Sequence, residues 1–324
     1  MTAPWRSLRR RVLTPDVAET RISRRGFHVK DDAATRLLEA IGESFLHGFA
    51  VAAEARGAED VPDPLDQVAV RMRGFCYEGA AMAFAIRDGL SARGRNTPRF
   101  VAGPGEPHLY MAYVGIGWAL ARLPRFRHAR VLAAASDPVL RWLVLDGYGF
   151  HQAYFHTARY VHRQVRDAAV PRVSSTGAAY SGRAIDQGIG RALWFVGGTD
   201  PARVVELIGG FDGDRRADLY SGAGLAATYA GGADPGELAE LAERAGEYRP
   251  QLAQGSAFAA EARARAGLLV PETESASRVL CGMSAADAAE LARDTKPGPS
   301  ADCAVPAYAQ WRTRVAEEFA SLGG

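Results

Sequence analysis

Two glycines lie two residues apart in the stretch DQGIGRALWFVGG, residues 186–198, and nearly the same pattern occurs earlier in YVGIGWALARLP, residues 113–124. Both stretches are otherwise mainly apolar, which favours buried helices. A glycine in a helix interior costs about 1 kcal/mol relative to alanine. A compensating role is therefore needed at four positions, Gly115, Gly117, Gly188 and Gly190.

The second glycines of the two patterns, Gly117 and Gly190, lie about 70 residues apart, and similarity at a fixed separation is typical of repeat architectures. A further pattern, YEGAAMA at residues 77–83, returns as YSGAGLA at residues 220–226. We therefore predict an all-α fold, a solenoid-like or toroidal helical-repeat array. Its units, of about 70 residues, would each contain a pair of glycine-bearing helices. Chance similarity in an alanine- and glycine-rich chain is the alternative.

Small residues on two faces of a helix can serve either of two purposes. Gly115 and Ala119 share one face, whereas Gly117 projects about 200° away from Gly115. Such a helix allows neighbouring backbones to approach closely, and it can equally leave space for a flat or rod-like ligand. The sequence alone leaves both interpretations open.

Helix starts are marked where a capping residue is followed by proline. The five capping residues are Thr14, Asp63, Asp137, Asp200 and Asp234. Strand signals are weak, because no segment alternates apolar and polar residues for long. We expect a basic N-terminal segment at residues 1–30 and a helical repeat domain at residues 31–294. A surface loop and a C-terminal helix, residues 295–324, would pack on the same domain.

Charge and cysteine content argue against several classes of protein. The 39 basic and 37 acidic residues give a formal charge of +2, which disfavours a general nucleic-acid binder. Cys76, Cys281 and Cys303 have neither disulfide nor zinc spacing, so we expect three neutral thiols. The longest apolar run, residues 112–121, is about half of a membrane span. With no secretory pattern, we expect a cytoplasmic protein.

Aromatic and polar residues near the glycine patterns suit an apolar ligand site, and they suit a helix–helix interface equally well. The predicted substrate-binding residues are Tyr77, Glu78, Gly79, His108, Tyr110, Gly115, Gly117, Trp118, Tyr148 and His151. Glu78 lies in an otherwise apolar helix, where burial would require a partner or a raised pKa. His151 is either a proton-transfer group or a hydrogen-bonded core residue. These two are the catalytic candidates. No metal-ligand spacing or cofactor motif accompanies them, so any cofactor stays unidentified.

The N-terminal segment has the pattern of a peripheral membrane contact. Apolar residues share one face of a predicted helix that also carries several arginines. The residues of this predicted contact are Trp5, Arg6, Leu8, Arg9, Arg10 and Arg11. Such a contact would place the protein at the inner face of the membrane, whereas a flexible basic tail is the alternative.

Five stretches together resemble the bacterial domain-of-unknown-function family one-seven-zero-two. They are WRSLRRRVLTPDVAE, GFCYEGAAMA, HLYMAYVGIGWALARL, LDGYGFHQAYF and DLYSGAGLAATYAGG. Members of this family are encoded beside enediyne polyketide synthases. The resemblance implies an actinobacterial accessory protein of enediyne antibiotic biosynthesis. That protein would act on the linear apolar polyene released by the synthase. It also implies two partners from the same gene cassette, a membrane protein and a second soluble protein, but it assigns no catalytic residue.

Two classes of function follow from these observations. The first is a subunit of a multi-protein oxidase or cyclase system that binds the polyene and helps to convert it into the enediyne core. The second is a non-catalytic helical scaffold that joins the membrane partner to the soluble partner. A connected apolar cavity would favour the first class, whereas a solid core with a large exposed apolar patch would favour the second.

Overall fold

The computed structural model describes residues 3–91, 93–174, 177–298 and 305–322. Within these residues the chain forms seventeen α-helices joined by loops and short helical turns, and it contains no β-strand. The prediction of an all-α fold is confirmed. Cys303 lies outside the described residues, whereas Cys76 and Cys281 are buried free thiols. Burial raises the pKa of each of these two thiols to about 12, so both are neutral.

The helices vary widely in length. In chain order they are α1 Ala3–Leu13, α2 Ile22–Arg25, α3 Asp32–Glu54, α4 Pro62–Asp66, α5 Val70–Leu90, α6 Asn96–Ala102, α7 Leu109–Arg122, α8 His128–Leu132, α9 Leu143–Phe155, α10 Ser181–Val196, α11 Pro201–Gly209, α12 Gly213–Ala230, α13 Pro235–Ala245, α14 Arg249–Arg265, α15 Pro271–Leu280, α16 Ala285–Asp294 and α17 Ala307–Leu322. Between them lie 3-10 turns at Val17–Thr20, Ala58–Asp60, Arg125–Arg127, Leu140–Trp142, Ala178–Tyr180 and Gly246–Tyr248, and a π-helical turn at Ala158–His162.

Proline-preceding residues begin some of these helices as the sequence predicts. Asp200 and Asp234 cap α11 and α13, and each side chain accepts a hydrogen bond from a backbone amide in the first turn. Asp137 caps only a short turn, through the amides of residues 139 and 140. Asp63 lies inside α4, which begins one residue earlier at Pro62. The signal therefore marks where the chain turns, but it does not fix the length of the helix that follows.

Seven helices form a continuous series in which each packs along the next. They are α3, α5, α7, α9, α10, α12 and α14. The series bends back on itself, because the ring of Phe75 in α5 meets that of Tyr229 in α12 at a centroid distance of 5.3 Å. Arg263 of α14 likewise donates a hydrogen bond to the backbone carbonyl of Arg71 in α5. Early and late helices therefore share one core.

Glycines lie at the closest contacts within the series. A Cβ on Gly117 would lie 2.1 Å from the carbonyl oxygen of Val144 in α9, and one on Gly147 would lie 2.1 Å from that of Val114 in α7. Four further glycine pairs approach each other's helices in the same reciprocal way: Gly48 with Gly79, Gly149 with Gly188, Gly190 with Gly222, and Gly224 with Gly255. Of the two open interpretations, close backbone packing is therefore the one that these positions show.

The N-terminal helix α1 packs on α3. Arg9 donates hydrogen bonds to the backbone carbonyls of Ala53 and Ala55, and Arg10 pairs with Glu54 at 2.9 Å. These contacts occupy carbonyls at the C-terminal end of α3, a position that favours positive charge. Among the described residues, no helix is both long enough and apolar enough to cross a membrane.

Candidate functional site

A narrow apolar cavity lies at the centre of the helix series. Its walls come from α3, α5, α7, α9, α10 and α12, and the segment before α2 contributes Pro15, Glu19 and Thr20. The cavity volume is about 70 Å³, and this small space is spread among the 22 residues that line it. The space is therefore thin, and an extended chain or a flat molecule suits it better than a compact one.

Aromatic rings make up much of the wall. They are Phe45, Phe75, Trp118, Phe150, Tyr154, Phe155, Phe195 and Tyr229. Trp118 is central among them, with its ring 4.6 Å from that of Phe45 and 5.1 Å from that of Phe150, centroid to centroid. Rings from α3, α7 and α9 thus meet at one place, where their faces and edges can contact the π-system of a conjugated ligand.

Two of the charged residues that line the cavity are buried at its inner end. Glu78 of α5 and Arg191 of α10 line it, and Arg191 donates a hydrogen bond to Asp146 of α9 behind it. All three side chains are buried, Glu78 at 3 % exposure. A buried guanidinium between two carboxyl groups offsets part of the cost of removing them from water.

Glu78 is the unusual member of this group. Burial raises its pKa to about 7, the nearby Arg191 guanidinium lowers it, and the Asp146 carboxylate raises it further. No hydrogen-bond donor among the described residues reaches the Glu78 carboxyl, which faces the cavity instead. Near neutral pH this carboxyl can therefore either give or accept a proton inside an apolar space.

Several buried polar atoms around the cavity have no hydrogen-bond partner among the described residues. They are the Tyr229 hydroxyl, Trp118 Nε1, Arg191 Nε and Asp146 Oδ2. Burial raises the pKa of Tyr229, so its hydroxyl keeps its proton. Buried polar groups are usually paired, so a bound molecule with a polar atom would gain hydrogen bonds at those that line the cavity, on Tyr229, Trp118 and Arg191.

His151 lies behind the aromatic wall. Its ring is 5.6 Å from that of Trp118 and 4.7 Å from that of Phe155, and it does not line the cavity. Burial lowers its pKa to about 3, and the positive charge of Arg122 acts in the same direction. The imidazole is therefore neutral at physiological pH and supports the two rings in front of it.

Tyr77 and His108 form a separate cluster outside the cavity. Their rings stack at a centroid distance of 3.6 Å, and the Tyr77 hydroxyl donates a 3.0 Å hydrogen bond to Asp66. Burial lowers the pKa of His108 to about 4. The two side chains are thus engaged with each other, and Tyr77 is also engaged with Asp66.

The other predicted site residues are also placed apart from the cavity. The ring of Tyr110 lies 6.5 Å, centroid to centroid, from that of Trp311 in α17. The hydroxyl of Tyr148 donates a hydrogen bond to the carboxylate of Asp167. Three glycines, Gly79, Gly115 and Gly117, face the backbones of neighbouring helices. Of the ten predicted binding residues, the structure brings only Glu78 and Trp118 together at this cavity.

Sequence reasoning missed Arg191, and it quoted Asp146 without assigning it a role. A usable signal was present, because each charge adjoins a glycine of a glycine-bearing helix: Asp146 precedes Gly147, and Arg191 follows Gly190. Glu78 also precedes a glycine, Gly79, but it was selected as a carboxyl group in an otherwise apolar helix. Among the described residues, no group of three or more His, Cys, Asp or Glu side chains is arranged to hold a metal ion.

These features define an all-α protein with an internal aromatic cavity that ends at a buried carboxyl and guanidinium. The chain belongs to the family described as Protein of unknown function (DUF1702), whose model matches residues 4–319. This is the family that the five sequence stretches resemble. Comparison with curated proteins and with solved structures gave no match.

Proposed function

We propose that this protein binds an elongated apolar molecule in the central cavity. The observation that carries the proposal is the cavity's form, a thin space walled by aromatic rings with Glu78 and Arg191 buried at its inner end. A thin cavity excludes compact ligands, and the aromatic rings of its wall supply contact area for a flat ligand. The innermost part of the ligand would lie beside Glu78 and Arg191.

The ligand that fits both the cavity and the family resemblance is a linear polyene made by an enediyne polyketide synthase. A conjugated chain is flat, rigid and thin, and it loses little conformational entropy when bound. In this proposal the protein holds the chain while partner proteins supply the redox chemistry of core formation, and any cofactor belongs to that step. Glu78 is the group that transfers a proton at the inner end.

A fluorescent conjugated tetraene, the methyl ester of parinaric acid, tests the binding proposal. Leu46 of α3 is half-buried and lines the cavity, so Leu46→Trp should block it and abolish most of the binding. Leu37 on the same helix is also half-buried but does not line the cavity, so Leu37→Trp is the matched control. Equal binding by both variants would contradict the proposal.

Conversion requires a separate test, with the purified protein, the polyene and the two partners of the gene cassette. Glu78→Gln should leave the tetraene ester bound while product formation falls, because glutamine keeps the side-chain volume but cannot transfer the proton. Normal product formation by this variant would remove Glu78 from the mechanism.

A repeated arrangement of helices is part of the proposal. One glycine in each of α5, α7, α9, α10, α12 and α14 packs against the backbone of a neighbouring helix, at positions 79, 115, 147, 188, 222 and 255. Each glycine follows the one before it after roughly 30–40 residues, so two successive helices span about 70 residues, as expected for a repeated helix pair. We infer that such helix pairs are the repeated units and that the cavity forms where their series bends back.

A scaffold role at the inner face of the membrane is the second candidate, and one observation favours it. Trp5, Leu8 and Val12 of α1 are 61 %, 47 % and 71 % exposed, an unusual set of apolar side chains on one short helix. Since Arg9 and Arg10 are engaged with α3 and Arg6 is half-buried, the exposed Arg11 is the arginine of α1 left to face anionic lipid. In this proposal α1 holds a cytoplasmic protein beside its membrane partner.

A further inference from the structure

A basic cleft lies beside the mouth of the central cavity. Its polar lining consists of Arg24, Arg25, His156, Thr157, Arg159 and Arg163. Tyr154 and Phe155 line both the cleft and the cavity, so the two spaces share one aromatic wall. The Arg25 guanidinium covers this wall at 4.6 Å from the centroid of the Phe155 ring.

Positive charge exceeds negative charge in the cleft. Glu19 pairs with both Arg24 and Arg25. Asp167 pairs with Arg159 at 3.0 Å. Four guanidinium groups therefore meet two carboxylates, and Arg163 forms no ion pair with any residue in the described ranges. A guanidinium without a partner is a good donor to a carboxylate or a phosphate, both of which match its geometry.

The excess of positive charge extends from the cleft to the cavity mouth, but the inner end of the cavity has no such excess. Arg122 lines the cavity near the mouth and forms no ion pair with the described residues. At the inner end, by contrast, the Arg191 guanidinium faces the carboxyl groups of Asp146 and Glu78. An anion placed there would meet two carboxyl groups in a medium of low dielectric constant, whereas at the mouth it meets an excess of arginines.

We propose that the polyene chain bound in the cavity carries a carboxylate or phosphate group at one end, and that this group lies in the basic cleft, so that the ligand is an amphiphile. This inference rests on the proposed function, because the chain of the amphiphile is the elongated ligand of the cavity. It adds a direction of binding. The anionic end stays beside Arg163, and the far end of the chain reaches Glu78.

Parinaric acid and its methyl ester form a matched pair of probes, since they share one chain and differ at the end group, which is charged in the acid and a neutral methyl ester in the other. The acid should bind the wild-type protein about fivefold more tightly than the ester, as expected for one solvent-accessible charge contact. Arg163→Gln should remove that difference without weakening the ester. Arg314→Gln, at an exposed arginine of α17 that has no ion pair in the described structure, is the control and should keep the difference. Added salt should weaken only the acid.

Dodecanoate and dodecyl phosphate, used as displacing ligands, distinguish a carboxylate from a phosphate as the anionic group. Displacement of parinaric acid by either compound supports the inference. Equal affinity of acid and ester for the wild-type protein, at low and at high salt, would overturn it while leaving apolar binding in the cavity intact. Binding of neither probe would overturn the proposed function as well. The salt series uses only wild-type protein, so the test holds even where a variant fails to fold.

Discussion

Replacing Gly190 with alanine should force two closely packed helices apart. A Cβ at this position of α10 would lie 2.1 Å from the carbonyl oxygen of Leu219 in α12, and 3.4 Å is an ordinary contact distance. The two helices would have to move apart by more than an ångström to restore such a contact. No change of rotamer can relieve the clash, because both colliding groups are backbone or Cβ atoms. Overpacking of this kind costs roughly 1–3 kcal/mol, and we expect a loss near the upper end, about 3 kcal/mol of unfolding free energy.

Gly182 supplies the matched control within the same helix. A Cβ there would meet nothing within 4 Å, so Gly182→Ala should gain up to about 1 kcal/mol from helix propensity. Guanidinium unfolding followed by circular dichroism compares the two variants, and the midpoints should move in opposite directions. If Gly190→Ala were as stable as Gly182→Ala, the close approach of α10 and α12 would be refuted.

Three further predictions concern the charged groups and α1. The Glu78 carboxyl holds its proton to a higher pH when folded, with a pKa of about 7 against the ordinary 4.5, so the folded state loses stability as pH rises between these values. The difference in unfolding free energy, Glu78→Gln minus wild type, should therefore grow by about 3 kcal/mol from pH 4.5 to pH 8, and a constant difference would contradict the raised pKa. Arg191→Met leaves Asp146 buried without its partner and should lower the unfolding free energy by about 3–5 kcal/mol, whereas the double variant with Asp146→Leu should recover most of the loss. Trp5→Ser should reduce co-sedimentation with anionic vesicles, as high salt should, and an unchanged pelleted fraction would exclude the membrane contact.

Much of the fold could be predicted because its signals are local. Asp200 and Asp234 predict helix starts because an N-cap hydrogen bond involves only residues close in sequence. The glycine pattern around Gly117 and Gly190 identified helices that need small residues, but it could not decide between packing and a ligand space. That choice depends on which backbone lies opposite, and only the tertiary structure supplies the carbonyl groups of Val144 and Leu219.

The site could be predicted only where one residue carried its own signal. Glu78 was found because a lone carboxyl group in an apolar helix must be explained, and Trp118 was found because it adjoins a glycine. The rest of the aromatic wall could not be found from the sequence. Phe45 and Tyr229, for example, are far apart in the chain and line the same cavity only because the helix series bends back. Tyr77, although it precedes Glu78, projects from a different face of α5 and hydrogen-bonds Asp66.

Photo-crosslinking tests the central claim, ligand binding in the internal cavity, most directly. An apolar conjugated chain that carries a diazirine group would be irradiated with the protein, and the labelled residues identified by mass spectrometry. The account predicts labels on the cavity wall, at Phe45, Trp118 and Tyr154, and loss of these labels in Leu46→Trp. Labels confined to the exposed apolar side chains of α1, with none on the cavity wall, would contradict it and favour the scaffold.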